Sequence, residues 1–156
     1  MRTHIILVIS MLLATLCMGQ NKTQSEAITY DSTLASKLGA DQFGMKEYVM
    51  VILNKGPVTI NDASEKNKII KEHLKSMDDL TKEGKVVFSG PLVNGDDMQW
   101  MVVFEVKTTD EAQALINTDP GVTAGMFSTD MHLWYGPAAL QEVSPLNKAL
   151  EKKNFL

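Results

Sequence analysis

Glu65 to Pro91 read EKNKIIKEHLKSMDDLTKEGKVVFSGP, and the reading of this stretch decides the fold. Ile69, His73, Met77 and Leu80 recur at i, i+4, i+8 and i+11, the rows that make one face of an α-helix. Asn61, Asp62 and Ser64 ahead of the run offer N-cap oxygens, and Gly84 behind it supplies a left-handed stop. Lys85 to Ser89 then reads as a short strand, closed by Gly90-Pro91. His73 is the anomaly on the apolar stripe. An unsatisfied polar group in a core costs about 1–3 kcal/mol in mutational data, so the imidazole is expected to have a partner.

Upstream of this stretch, Tyr48 to Leu53 is a continuous β-favouring run, expected to be a buried central strand that ends at Asn54-Lys55-Gly56-Pro57. Downstream, Asn94-Gly95-Asp96-Asp97 signals a hairpin, and Met98 to Val106 (MQWMVVFEV) reads as the strand after it. Thr108 and Glu111 form a capping box that opens a second helix, with Ala112, Leu115 and Ile116 on its apolar side. Asp119-Pro120-Gly121 ends that helix, because proline disfavours helical geometry in the residue before it. Phe127 to Trp134 alternates apolar Phe127, Met131 and Leu133 with polar Ser128, Asp130 and His132, the pattern of a half-buried strand.

The order β-α-β-β-α-β defines an α+β domain over residues 45–140: a four-stranded antiparallel sheet with two helices on one face. Residues 141–156 are left as a tail, with a short helix expected from Ser144-Pro145. The other face of such a sheet is bare. Met50, Trp100, Val102, Phe104 and Leu133 are assigned to it, and an exposed apolar patch of that size implies a partner surface, so a homodimer packed sheet to sheet is expected.

Met1 to Gly19 (MRTHIILVISMLLATLCMG) has a short charged start, an apolar centre and small residues near its end, the pattern of a secretory signal peptide cleaved after Gly19. It is short for a membrane span, which needs about 20 apolar residues. Export to the periplasm or the exterior follows as an expectation. Lipidation at Cys17 is the weaker alternative, since Leu16 is not the small residue that such a site prefers. Membrane attachment is expected only through that route or through an uncleaved leader. Cys17 is the sole cysteine, so cleavage after Gly19 removes disulfide, thiol and thiolate–metal chemistry together. Residues 20–44 are polar and read as a flexible N-terminal arm, with one helical turn around Ser32 to Leu38.

The 156-residue chain is 44% hydrophobic and 22% charged, an ordinary globular balance that suits one domain. Its net charge of −4, without a run of Lys or Arg, excludes a nucleic-acid partner, whose binding rests on clustered cations. Phosphate-cradling and nucleophile-elbow motifs are absent, so no nucleotide or other cofactor is expected. Asp130 and His132 share a strand face, yet no ligand spacing joins them to further donors, and no metal is expected. His73 and Asp119 remain. Each alone has a plain reading, a core histidine and a turn aspartate. Side-by-side crossover helices bring them within reach, and a carboxylate on one ring nitrogen would fix the tautomer and free the other for proton transfer. The rival readings are a non-catalytic module that holds a small hydrophobic or aromatic ligand in a cleft lined by Met50, Phe104, Trp100 and Trp134, and a purely structural dimeric module.

Lys71-Glu72-His73-Leu74, Glu83-Gly84-Lys85 and Ser89-Gly90-Pro91 resemble the first half of the YCII-related (YciI-like) family. Glu111-Ala112, Asp119-Pro120, Val122, Ala124-Gly125 and Trp134-Tyr135-Gly136-Pro137 resemble its second half. The resemblance runs from about Glu47 to Leu140. It implies a ferredoxin-like fold of the dimeric α/β barrel type and a His–Asp active-site pair. That pair falls on His73 and Asp119, with Ser89 as a possible auxiliary polar group. It implies no substrate for this chain, because most members have none assigned and a few relatives act on chlorinated aromatic ring compounds.

Overall fold

The computed structural model describes residues 29–94 and 96–153. The expected leader, its cleavage site and Cys17 lie outside the described residues. The elements run α1 (Ser32–Leu38), β1 (Met45–Lys55), α2 (Ala63–Lys82), β2 (Val86–Pro91), β3 (Met98–Phe104), α3 (Thr109–Ile116), α4 (Pro120–Thr123) and β4 (Phe127–Pro137). A 3-10 turn (Ala138–Glu142) and α5 (Val143–Leu150) follow. The sheet is four-stranded in the order β2-β3-β1-β4, with all three neighbouring pairs antiparallel. That is the ferredoxin-like βαββαβ arrangement, in which the first and third strands lie at the centre.

Local chemistry accounts for the element ends. Asp62 caps α2 by accepting from the Glu65 N–H, and Gly84 follows it at a φ of 70°. Ile69, His73, Met77 and Leu80 are the residues that α2 buries, so the stripe read from spacing is its sheet-facing row. Thr108 Oγ1 accepts from the Glu111 N–H, and Glu111 reaches back to the Lys107 N–H rather than to the cap residue's own. At the N-terminal side, Asp31 caps α1 and Leu38 at its end is buried; α1 meets the 3-10 turn through Lys37–Glu142 and through Gln141 to the Leu38 carbonyl.

Strand register sorts the side chains onto two faces. Val49, Val51 and Leu53 of β1 lie opposite Phe104, Val102 and Trp100 of β3, and all six sit in the core beneath the helices. Met50 and Ile52 lie opposite Val103 and Met101 on the helix-free face. At one end of that face Tyr48, Val87 and Val103 form a smaller buried cluster with Leu140 and Trp134 packed against it.

This corrects the expected composition of the bare face. Of Met50, Trp100, Val102, Phe104 and Leu133, only Met50 belongs there. Trp100, Val102 and Phe104 are core residues under the helices, and Leu133 pairs with Val49 on the helix side, exposed on the edge strand. The cause lies in β3. Apart from Gln99, both parities of MQWMVVF are apolar, so alternation names two faces without saying which one the helices cover. A bulge between Val86 and Phe88 shifts the register of β2, placing Ser89 opposite Val102 and therefore on the helix side.

Candidate functional site

His73 lies in the middle of α2, one turn before Met77 on the buried row. Asp119 lies past the end of α3, and its role there is more specific than a helix-ending turn. It is the N-cap of α4, with Pro120 in the first turn, where a missing N–H costs nothing. Its Oδ1 accepts from the Gly121 N–H at 2.9 Å and the Val122 N–H at 3.2 Å. Its Oδ2 is left free to face α2. There it meets His73 Nδ1 at 2.8 Å, and both side chains are 0% exposed. An ionised carboxylate only accepts, so the proton of this bond sits on Nδ1, and in the neutral ring Nε2 keeps its lone pair.

Two aromatic rings frame the imidazole. Trp100 meets it edge-on at 4.7 Å between ring centroids and Phe127 at 5.3 Å. Gly121 keeps the Phe127 ring close, since a Cβ there would fall 2.5 Å from Phe127 Cδ2. Trp100 also walls two grooves. One, of about 490 Å³, runs between α2, β2 and α5 past Leu74, Met77, Phe88 and Ser89. The other, of about 450 Å³, lies by the β1 end, with Ile60, Ile70, Met126 and Phe127 in its wall. Beside this second groove, two of the segments that contribute to its wall are held close through their backbones. Gly56 N–H donates to the Met126 carbonyl at 2.8 Å, Val58 N–H donates to the Gly125 carbonyl at 3.0 Å, and a Cβ on Gly56 would sit 2.2 Å from the Gly125 oxygen.

The structure therefore brings His73 and Asp119 together and leaves Ser89 apart. Ser89 stands in the wall of the first groove beside Trp100, and among the described residues no hydrogen bond joins it to the pair. Of the residues expected to line a ligand cleft, Trp100 does so, Phe104 is wholly buried, and Met50 and Trp134 belong to the opposite face. Asp130 and His132 bond to each other at 3.1 Å on the exposed strand surface. Among the described residues no group of three His, Cys, Asp or Glu could hold a metal ion, and no helix is long and apolar enough to cross a membrane.

Residue spacing did not reveal the two aromatic walls of the imidazole or the backbone amides that fix Asp119. The Asp-Pro step carried the second signal, because Asp before Pro is an N-cap pattern as well as a helix stop. The first had no such signal: parity puts Trp100 on one face with Val102 and Phe104 without saying that the helices cover it.

An α+β sheet with a carboxylate–imidazole pair buried between its first crossover helix and the cap of a short helix defines the class of this site. The model of the YCII-related domain matches residues 47–131, more than half of the chain, and the chain belongs to that family. No curated protein matches it. Among solved structures, it is similar to a 5-chloro-2-hydroxyhydroquinone dehydrochlorinase from Burkholderia phenoliruptrix AC1100, in complex with 2,5-dihydroxybenzoquinone. Identity is 21% and the TM-score 0.42, covering 55% of this chain and 92% of that one.

Proposed function

We propose that this YCII-family protein is an exported enzyme that moves a proton to or from a small organic molecule, with His73 as general acid–base and Asp119 as the group that holds its ring. The observation that carries this reading is the 2.8 Å contact at Nδ1 together with an Nε2 that has no protein partner. A ring fixed at one nitrogen and free at the other is what proton transfer by histidine requires. Ser89 could supply a further polar contact from the groove wall. The test is direct. Nitrogen-15 spectra of the neutral ring should show a protonated Nδ1 and an unprotonated Nε2; a proton on Nε2 would rule out His73 as a base in this geometry.

A second reading has its own support. Both members of the pair are wholly buried, as a structural core pair would be, and the grooves would then serve a binding module without catalysis. The distinction is made by turnover, as argued in the Discussion.

Export and self-association complete the proposal. The helix-free face still carries half-buried Met50, Ile52 and Met101 in adjacent register, which supports a sheet-to-sheet homodimer. Native mass spectrometry of protein recovered from outside the cytoplasm tests both parts. The subunit mass should correspond to a chain beginning at Gln20, and the assembly should weigh twice that. A full-length subunit or a monomer at micromolar concentration would remove the respective part.

A further inference from the structure

Among the described residues, the buried side-chain polar atoms without a hydrogen-bond partner are His73 Nε2 and Trp100 Nε1. They lie on rings in edge contact. Native interiors leave few such atoms, and two on touching side chains call for one explanation. Their chemistry is complementary. The indole N–H can only donate, while Nε2, with the Nδ1 proton committed to Asp119, can only accept.

A hydroxyl is the simplest ligand group that satisfies both at once. A hydroxyl accepts from the indole through a lone pair and donates its own proton to Nε2. A carbonyl or carboxylate has no proton for Nε2, and an ammonium has no lone pair for the indole. We infer that the ligand of this site bears a hydroxyl, received between Trp100 Nε1 and His73 Nε2. Its apolar body lies in the groove walled by Ile60, Ile70, Met126 and Phe127. Trp100 is then a binding residue and the one that sets this specificity. Trp100 lines both grooves and His73 lines neither, so the hydroxyl reaches the imidazole past the indole. This inference rests on the acid–base reading only for the tautomer of His73; it requires no turnover.

The experiment compares cyclohexanol with cyclohexanone, which differ in the hydroxyl proton and little in size. Each is titrated into the full-length protein while the indole N–H signals and the His73 ring nitrogens are followed by NMR. Trp134 packs on Tyr48 in the other cluster and serves as the internal control; a Trp134→Phe variant assigns the two indoles. Cyclohexanol should shift the Trp100 N–H and His73 Nε2 together, leave Trp134 in place, and bind about tenfold more tightly than cyclohexanone, the worth of one retained hydrogen bond. Trp100→Phe keeps an aromatic wall and should erase most of that preference. Equal binding of the two compounds, a shift at only one nitrogen, or no shift up to the solubility limit overturns the inference. Failure of the acid–base reading looks different: cyclohexanol still discriminates, but His73→Asn does not slow a reaction.

Discussion

Asp119→Ala is expected to destabilise the domain by about 2–4 kcal/mol, chiefly the cost of about 1–3 kcal/mol for leaving a buried donor unsatisfied, with a lost helix cap beside it. The substitution acts at two places. It leaves His73 Nδ1–H without an acceptor in a fully buried site, and it takes away the cap of α4, whose Gly121 and Val122 amides both bond to the same side chain. Loss of a cap alone costs about 1 kcal/mol, and the two effects overlap because one carboxylate serves both. Against a total stability of about 5–15 kcal/mol, the change should be evident as a large fall in the urea midpoint. Asp119→Asn separates the components. Its carbonyl oxygen keeps the Gly121 and Val122 bonds, so most of the stability should return. Its amide, however, can only donate toward His73, which turns the ring to the other tautomer and puts the proton on Nε2. Nitrogen-15 shifts read this exchange. A variant with the fold intact and the tautomer unchanged would show that Asp119 does not set the ring's protonation.

His73→Asn should slow the reaction by about 10²–10⁴-fold, the usual contribution of a positioned general acid or base. Asparagine suits the test, because its amide nitrogen can take the place of Nδ1 and still donate to Asp119. Only Nε2 and the rest of the ring are lost. Removing ring atoms from between Trp100 and Phe127 leaves a small cavity, so a modest stability loss of roughly 1–3 kcal/mol accompanies the change. The assay follows turnover of compounds that raise the wild-type thermal midpoint. A variant that turns over such a compound at the wild-type rate would falsify the acid–base role. If the compounds stabilise both proteins equally and neither transforms them, the binding-module reading is the one to keep.

Much of this was legible in the chain itself, and particular residues explain where legibility ended. The α2 row of Ile69, His73, Met77 and Leu80 could be read because helical periodicity and a capped, glycine-stopped segment point to the same face. The partner of His73 could be proposed because only two crossover segments cover the sheet and Asp119 closes the second. The faces of β3 could not be read in the same way. Apart from Gln99, Met98 to Phe104 is apolar at odd and even positions alike, so which parity the helices cover is decided by tertiary packing. The bulge at Val87, which moves Ser89 to the helix side, has no local marker either. The depth of the pair was also invisible, because burial of His73 depends on Trp100 and Phe127 arriving from distant strands.

The close crossing of Gly56 and Gly125 bears on how such a site could diversify. Those peptide contacts fix the spacing of the two segments that bring Val58 and Met126 to the wall of the second groove. Ile60 and Ile70, only partly buried, could be exchanged for residues of other size or polarity, retuning what the groove admits while that spacing is kept. Residue 56 has no such latitude, since any side chain there would push the two segments apart. The architecture thus divides into a fixed frame and an interchangeable lining, an arrangement in which selectivity can drift without rebuilding the site.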